Sequence, residues 1–165
     1  MKKRFLQNEG FSLVELIIVI AIMAILAGAL APALIKYIAK SRRSTDIQNA
    51  DSFRTAIQTA LSNPDAADAV SAAANPAGVT TVGTISGYKI PSADIKTNKD
   101  SNKFCGEVYS VIGDTKLTTK YKAKGDNMYA IVNMDTNTVA VFSGGSSADK
   151  DKQLSPSTTG AWATN

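Results

Sequence analysis

The chain has 165 residues, 44% of them hydrophobic and 19% charged, which is enough for one globular domain and makes a second domain unexpected. The formal net charge is +4, and half of it comes from the first ten residues, which contain Lys2, Lys3, Arg4 and Glu9. The remaining 155 residues have a net charge of +2, which is too weak to predict specific nucleic-acid binding. The lone cysteine, Cys105, excludes an intrachain disulfide, and the lack of histidine removes the commonest general base and zinc ligand.

The first ten residues are basic at the start and polar at the end, and an apolar run begins abruptly at Phe11. No charged residue occurs in residues 16–35. As a helix, this uncharged run rises about 30 Å, which matches the hydrocarbon core of a bilayer. We therefore predict a separate N-terminal segment over 1–10 and a hydrophobic helix over 11–35 that is long enough to be transmembrane.

After residue 35 the apolar residues become spaced along one helical face, with no strong helix breaker before Asn63 and Pro64. The residues on this predicted face are Ile47, Ala50, Phe53, Ile57, Ala60 and Leu61. We predict an amphipathic helix over 36–62 that continues the apolar one. The single helix over about 11–62 would be roughly 75–80 Å long, with its hydrophobic half protruding from a globular head over 36–165.

The rest of the head is predicted to be a connecting loop over 63–103 and an antiparallel sheet over 104–143, followed by a polar tail over 144–165. An alanine-rich turn or short helix is expected at 65–74, ended by Asn75 and Pro76. Strand-like composition occurs at 106–112, 116–122, 128–134 and 138–143. Short links between these segments favour hairpins. The predicted fold class is α+β, with a long N-terminal helix packed against a meander of about four strands.

The C-terminal tail is expected to be exposed and mobile, because it is polar and only Leu154 and Trp162 offer apolar surface to bury.

Two ordinary interpretations compete for the first 35 residues: a secretory signal peptide cut after Ala31, and a plain membrane anchor. Polar residues between the basic start and the apolar run, a glutamate within that run and Pro32 after the cut all speak against the signal peptide. A membrane anchor needs no cleavage near Gly10. N-terminal sequencing would separate these possibilities.

Glu15 interrupts the apolar run and is the residue that decides between the interpretations. A carboxylate near the middle of a bilayer costs about 2.5–3.5 kcal/mol on insertion scales, and a charge retained there is expected to be functional and to have a partner. No basic residue lies close to it within the helix. A cut after Gly10 would give Phe11 a free amino group about one turn away. In a bundle of parallel helices, that amine could pair with Glu15 of a neighbouring subunit and set the axial register.

Residues 10–32, GFSLVELIIVIAIMAILAGALAP, resemble the class III signal of type IV prepilins with a short leader. The resemblance covers about the first 35 residues. It implies that a membrane prepilin peptidase cuts after Gly10 and N-methylates Phe11, and that Glu15 serves subunit assembly. Pro32 also falls on a position where the family often has proline. A glycine suits the cut, because a peptidase must approach the backbone closely.

Charge counting does not settle the membrane orientation. Basic residues of the leader would hold it on the cytoplasmic face: Lys2, Lys3 and Arg4. Four more follow the apolar run on what should be the outer side: Lys36, Lys40, Arg42 and Arg43. We give the leader motif more weight than the count, since the motif specifies which end the peptidase meets.

Small residues along the apolar helix form two faces on which helices could approach closely: Ala24 with Gly28, and Ala27 with Ala31. Small residues are also simply frequent in membrane helices, so packing and composition explain them about equally well. Pro32 lacks a backbone donor and, with Gly28, marks a weak section. We predict that the helix bends or melts locally at Gly28 and Pro32 in a filament.

Few residues of the head suggest chemistry. Cys105 is expected to be a small buried hydrophobe, because no histidine could activate it. Asn133, Asp135 and Asn137 have the alternate spacing of a calcium loop but lack its glycine and glutamate, so a hairpin turn is the better interpretation. Phosphate-binding, dinucleotide-binding and zinc-protease motifs do not occur. We predict no enzyme activity, cofactor or metal.

The resemblance implies a structural subunit that polymerises with itself after maturation. An assembly ATPase and a membrane platform would extract it from the cytoplasmic membrane into an extracellular pilus used for adhesion, motility or biofilm formation. Many Gram-negative pilins close a C-terminal loop with a disulfide, which one cysteine does not permit, so the chain is more similar to major pilins of Gram-positive bacteria. A minor pilin or a pseudopilin of a secretion or DNA-uptake system would share the same N-terminal features.

Overall fold

The computed structural model describes residues 10–74, 79–115, 117–121, 127–144, 152–157 and 159. The chain forms two compact units, Met1–Ile38 and Ala39–Asn165. Ten elements follow in chain order within the described residues: α1 (Leu13–Leu61), α2 (Pro64–Asp68), α3 (Val70–Ala73), β1 (Val79–Val82), β2 (Ile85–Pro91), α4 (Ser92–Asn98), α5 (Lys103–Ile112), β3 (Met128–Asn133), β4 (Thr138–Ser143) and β5 (Gln153–Ser155). The predicted α+β class, a long N-terminal helix followed by an antiparallel sheet, is confirmed.

In the second unit, α1 buries the predicted face at Ala50, Phe53, Ile57 and Ala60. The other two predicted members, Ile47 and Leu61, are only half-buried.

The end of α1 agrees with the prediction that Asn63 and Pro64 stop the helix. Asn63 starts the next helix, because its side-chain oxygen accepts a hydrogen bond from the amide of Asp65 at 3.1 Å and Pro64 takes the first helical position. The short helical segment expected at 65–74 is confirmed by α2 and α3.

The sheet has five strands rather than about four, in the order β1-β2-β3-β4-β5, with every neighbouring pair antiparallel. Strands β3 and β4 confirm the predictions at 128–134 and 138–143. Between them, the side chain of Asn133 accepts the amide N–H of Thr136 at 2.9 Å, and Asn137 has a positive φ of 50°. These are turn features, so the three-residue pattern is a hairpin turn, as expected.

Both faces of the central strands are buried. On one face, residues such as Ala130 and Val141 share a core cluster with Phe53 and Ile57 of α1. Side chains alternate between the two faces of a strand. On the other face, the rings of Tyr129 and Phe142 stack with their centroids 5.6 Å apart, next to Ile131.

The strand predicted at 106–112 is wrong, since these residues belong to helix α5. The buried residues of α5 are Phe104, Cys105 and Val108. Residues four positions apart lie on the same face of a helix, whereas the faces of a strand alternate with every residue. The side chain of Asn102 caps this helix by accepting the amide N–H of Cys105 at 3.1 Å. Gly113 ends it with a φ of 57°, a conformation that favours glycine.

Two further predictions of the head are corrected. The connecting loop predicted over 63–103 carries α2, α3, β1, β2 and α4. The strand predicted over 116–122 is absent from its described part, 117–121, where Thr118 makes only an isolated bridge to Asn127. In this segment, the backbone amides of Lys120 and Tyr121 instead donate hydrogen bonds to the carboxylate of Asp46.

Asp46 is a fully buried carboxylate on the core-facing side of α1. Its Oδ2 accepts the amide N–H groups of Lys120 at 2.7 Å and Tyr121 at 2.8 Å. Its Oδ1 has no hydrogen-bond partner among the described residues. Charge-assisted bonds to two backbone amides compensate for burial of the charge and attach residues 117–121 to α1.

The C-terminal part also contains structure that was not predicted. Strand β5 pairs with β4, and Leu154 is only 1% exposed, so the expectation of an exposed tail is wrong for these residues. The buried hydroxyl of Ser155 donates to Asp51 on α1 at 2.5 Å and accepts from the Nε of Arg54 at 2.9 Å. These bonds tie β5 to α1 without a disulfide. Trp162 lies outside the described residues.

Candidate functional site

The predicted cleavage position lies just before α1 begins. Gly10 and Phe11 have no regular secondary structure, and both are exposed, Phe11 to 88%. A Cβ added at Gly10 would meet no atom of the described residues within 4 Å, so these residues leave room for a partner molecule at this backbone. The basic residues predicted to hold the leader, Lys2, Lys3 and Arg4, lie outside the described residues.

Ser12 and Glu15 form a capping box at the start of α1. The amide N–H of Ser12 donates to Oε2 of Glu15 at 2.9 Å, and the Ser12 hydroxyl accepts the amide N–H of Val14 at 3.3 Å. The first amides of a helix have no partner within the helix, and these bonds satisfy two such groups. The box also favours a negative charge at the positive end of the helix.

The capping box shows where Glu15 is held before any cleavage takes place. Its carboxylate forms no ion pair with the described part of the chain, and its bond is to the residue directly after Phe11. The structure therefore brings together the predicted scissile bond and the predicted assembly residue. Ser12 was missed by the sequence interpretation. A serine three positions before a glutamate, just ahead of an apolar run, was the signal for it.

The apolar part of α1 in the first unit is exposed along its whole length. By length and composition, α1 is the one helix in the described part of the chain that could cross a membrane. The large apolar residues from Leu13 to Ile35 are more than 40% exposed, with no polar face among them. A helix that is apolar all round needs lipid or other helices around it.

The predicted weak section consists of Gly28 and Pro32. Both residues lie inside α1, which is helical from Leu13 to Leu61. A Cβ added at Gly28 would meet no atom within 4 Å, so this part of the helix surface is open. The bend or local melting was predicted for packed helices in a filament, and it stays a prediction.

The prokaryotic N-terminal methylation motif matches residues 6–31, which contain Gly10 of the predicted cleavage position, the capping box and most of the apolar run. The N-terminal segment of this chain is similar to that of type IV pilins. Two relatives, both named type IV major fimbrial protein FimA from Dichelobacter nodosus, extend the likeness. One is 43% identical over 61 residues, 37% of this chain and 38% of the relative. The other is 45% identical over 54 residues, 33% of this chain and 35% of the relative.

The chain thus spans little more than a third of the length of these type IV pilin relatives. No solved structure gives a significant match. The matched family motif lies in the N-terminal segment, at residues 6–31.

Cys105, the lone thiol, is buried in the core, where α5 packs. Burial, and to a lesser degree the negative charge of Asp94, raises its pKa from 9.0 to about 11. The thiol is therefore protonated at neutral pH and is a poor nucleophile. This agrees with the expectation that Cys105 is a small buried hydrophobe.

We expect Cys105 in the native chain to resist a thiol reagent such as DTNB near neutral pH and to react rapidly once the chain is unfolded. Because the raised pKa means that the native state holds its thiol proton more tightly, this group favours folding below pH 9.0 and loses that contribution as pH rises towards about 11. Rapid labelling of the native chain in a spectrophotometric assay would contradict the assignment.

Proposed function

We propose that the chain is a prepilin, cut between Gly10 and Phe11, whose mature form is the structural subunit of a type IV pilus. The methylation motif and the two fimbrial relatives support this proposal. The exposed apolar helix supports it as well, because polymerisation would cover that surface with the same surface of other copies.

The observation that carries the proposal is the place of Glu15, one turn into an apolar helix and bonded to the amide next to Phe11. Glu15 directly precedes the uncharged run, at the edge of the hydrocarbon core, and its charge forms no ion pair with the described part of the chain. Cleavage after Gly10 creates a cation on Phe11, close to the carboxylate. When helices pack in parallel, the amine of an incoming subunit meets Glu15 of its neighbour and sets their axial register.

The proposal assigns the remaining chemistry to partners. A prepilin peptidase removes the leader and N-methylates Phe11, while the chain is a single-pass protein of the cytoplasmic membrane. An assembly ATPase and a membrane platform then move subunits into a surface filament for adhesion, motility or biofilm formation. Because both relatives are named major fimbrial proteins, a pilus subunit is favoured over a pseudopilin.

The test is the N-terminus of the protein recovered from cells. We expect mass spectrometry and N-terminal sequencing to show a chain that begins at Phe11 and carries one methyl group on its amine. A protein that still begins at Met1, or that begins after Pro32, would contradict the proposal.

Two glycine variants separate recognition by the peptidase from an effect on the fold. Gly10→Val is expected to prevent cleavage, because the peptidase must approach the backbone there. Gly28→Val is the matched control and should be cleaved normally. Within the part of the chain that the structure describes, a Cβ added at either glycine meets no atom within 4 Å. Unchanged processing of Gly10→Val would remove Gly10 as the recognition residue.

A further inference from the structure

The basic residues that follow the apolar run have no role in the proposed function. Four cations occur within residues 36–43, without an acidic residue before Asp46: Lys36, Lys40, Arg42 and Arg43. In the orientation set by the leader motif they lie on the outer side of the membrane, where the charge rule does not expect them. Such a concentration of charge next to a membrane span suggests a ligand of opposite charge.

The structure leaves most of these cations available. Lys36 is exposed at the end of the first unit, and Lys40 and Arg42 are exposed at the start of the second. None of these three forms an ion pair with the described part of the chain. Tyr37, beside the first of them, is 72% exposed and is of the type that sits among lipid headgroups.

The position along the chain specifies the chemistry of the ligand. Lys36 is the first charge after an uncharged run that rises about 30 Å as a helix, the thickness of the hydrocarbon core. The headgroup layer begins where that core ends. Long basic side chains reach along the surface, so those that follow within two helical turns contact the same layer. The anions in that layer are lipid phosphates.

We propose that residues 36–43 bind the headgroups of anionic phospholipids in the outer leaflet before the subunit is extracted. This inference rests on the membrane stage of the proposed function, and it adds a lipid class as partner. Lipid is favoured over an acidic protein surface, because the apolar run fixes these cations at headgroup depth. Extraction into a filament would have to break these contacts.

The test uses the full-length chain reconstituted in phosphatidylcholine bilayers with trace spin-labelled phosphatidylglycerol or spin-labelled phosphatidylcholine. Electron spin resonance measures the fraction of each lipid that is immobilised at the protein. We expect a preference of about two- to fourfold for phosphatidylglycerol. The preference should fall sharply in about 1 M salt, where the Debye length is about 3 Å.

Three variants assign the effect to these residues. K36Q/K40Q/R42Q/R43Q should lower the preference to what the leader cations Lys2, Lys3 and Arg4 produce, and the charge-conserving K36R/K40R/R42K/R43K should keep it. Removing four cations elsewhere, in K89Q/K96Q/K99Q/K103Q, should also leave it unchanged. Circular dichroism verifies that each variant is folded.

The outcomes separate this inference from the proposed function. If both lipids are immobilised equally by the wild type, or if the quadruple glutamine variant keeps the preference, the inference is overturned while the pilin proposal stands. If the quadruple glutamine variant keeps its lipid preference but forms defective filaments, these cations contact a neighbouring protein and not lipid. If neither lipid is immobilised, the chain is not in the bilayer and both proposals fail.

Discussion

Replacing Glu15 with alanine is expected to abolish filaments while leaving the subunit in the membrane. Insertion should persist or improve slightly, because the substitution removes a charge at the edge of the hydrocarbon core, where it costs less than the roughly 2.5–3.5 kcal/mol of the bilayer centre. Assembly should fail, because the amine of Phe11 on an incoming subunit would find no carboxylate. Electron microscopy of sheared surface material measures filaments, and membrane fractionation measures insertion. Normal filaments from this variant would remove the proposed role of Glu15.

Glu15→Gln is the control that separates charge from capping. A glutamine at this position can still accept the amide N–H of Ser12, since either residue completes a capping box. It cannot form an ion pair. If the pairing with Phe11 matters, Glu15→Gln should lose filaments as completely as alanine does. If it assembles normally while alanine does not, Glu15 serves to start the helix.

Asp46→Ala is expected to produce the largest loss of stability in the head. It removes the acceptor of two backbone amides, those of Lys120 and Tyr121. Leaving them unsatisfied should lower the free energy of unfolding by about 2–4 kcal/mol, after allowing for the charge that no longer has to be buried. Denaturant unfolding of the full-length chain in detergent measures the loss, and faster hydrogen exchange at these amides would locate it.

Asp46→Asn and Asp68→Ala are the matched controls. The asparagine keeps a carbonyl oxygen for the two amides and should cost less, about 1 kcal/mol. Asp68 is exposed, so its removal should change stability by less than about 0.5 kcal/mol. Equal stability of Asp46→Ala and Asp68→Ala would show that the buried carboxylate does not hold residues 117–121 in place.

The helix and the central hairpin were predictable because their signals are local. The end of α1 is marked by Asn63 with Pro64, and the apolar residues of its second half repeat at helical spacing. Strands β3 and β4 are rich in β-branched and aromatic residues and are separated by a turn sequence. Each of these features depends on residues close together in the chain.

The elements that were missed depend on partners distant in sequence. Strand β2 contains Gly87 and ends at Pro91, both poor strand residues, yet it pairs with β3 across some forty residues. A Cβ at Gly87 would stand 2.2 Å from the carbonyl oxygen of Val132, so the glycine is required by a neighbour that the local sequence does not reveal. Strand β5 is likewise defined by β4 and by the bonds of Ser155 to α1.

Helix α5 is a different case, because its signals were present and were outweighed by composition. Val108, Tyr109, Val111 and Ile112 favour a strand individually, but the buried residues recur at helical spacing and Asn102 supplies a cap. At the N-terminal site, Glu15 stood out as a charge in an apolar run, and the resemblance to type IV prepilins implied the roles of Gly10 and Phe11, which stay predictions. Only the structure showed that Ser12 holds the carboxylate.

The capping box has a consequence for the timing of maturation. All of its groups belong to residues 12–15, on the far side of the proposed scissile bond from the leader. The helix therefore need not unwind to expose that bond, and it loses no stabilising group when the leader departs. If the proposed cleavage takes place, folding of this end of α1 would therefore not depend on it, because the capping bonds of Ser12 and Glu15 are present with or without the leader.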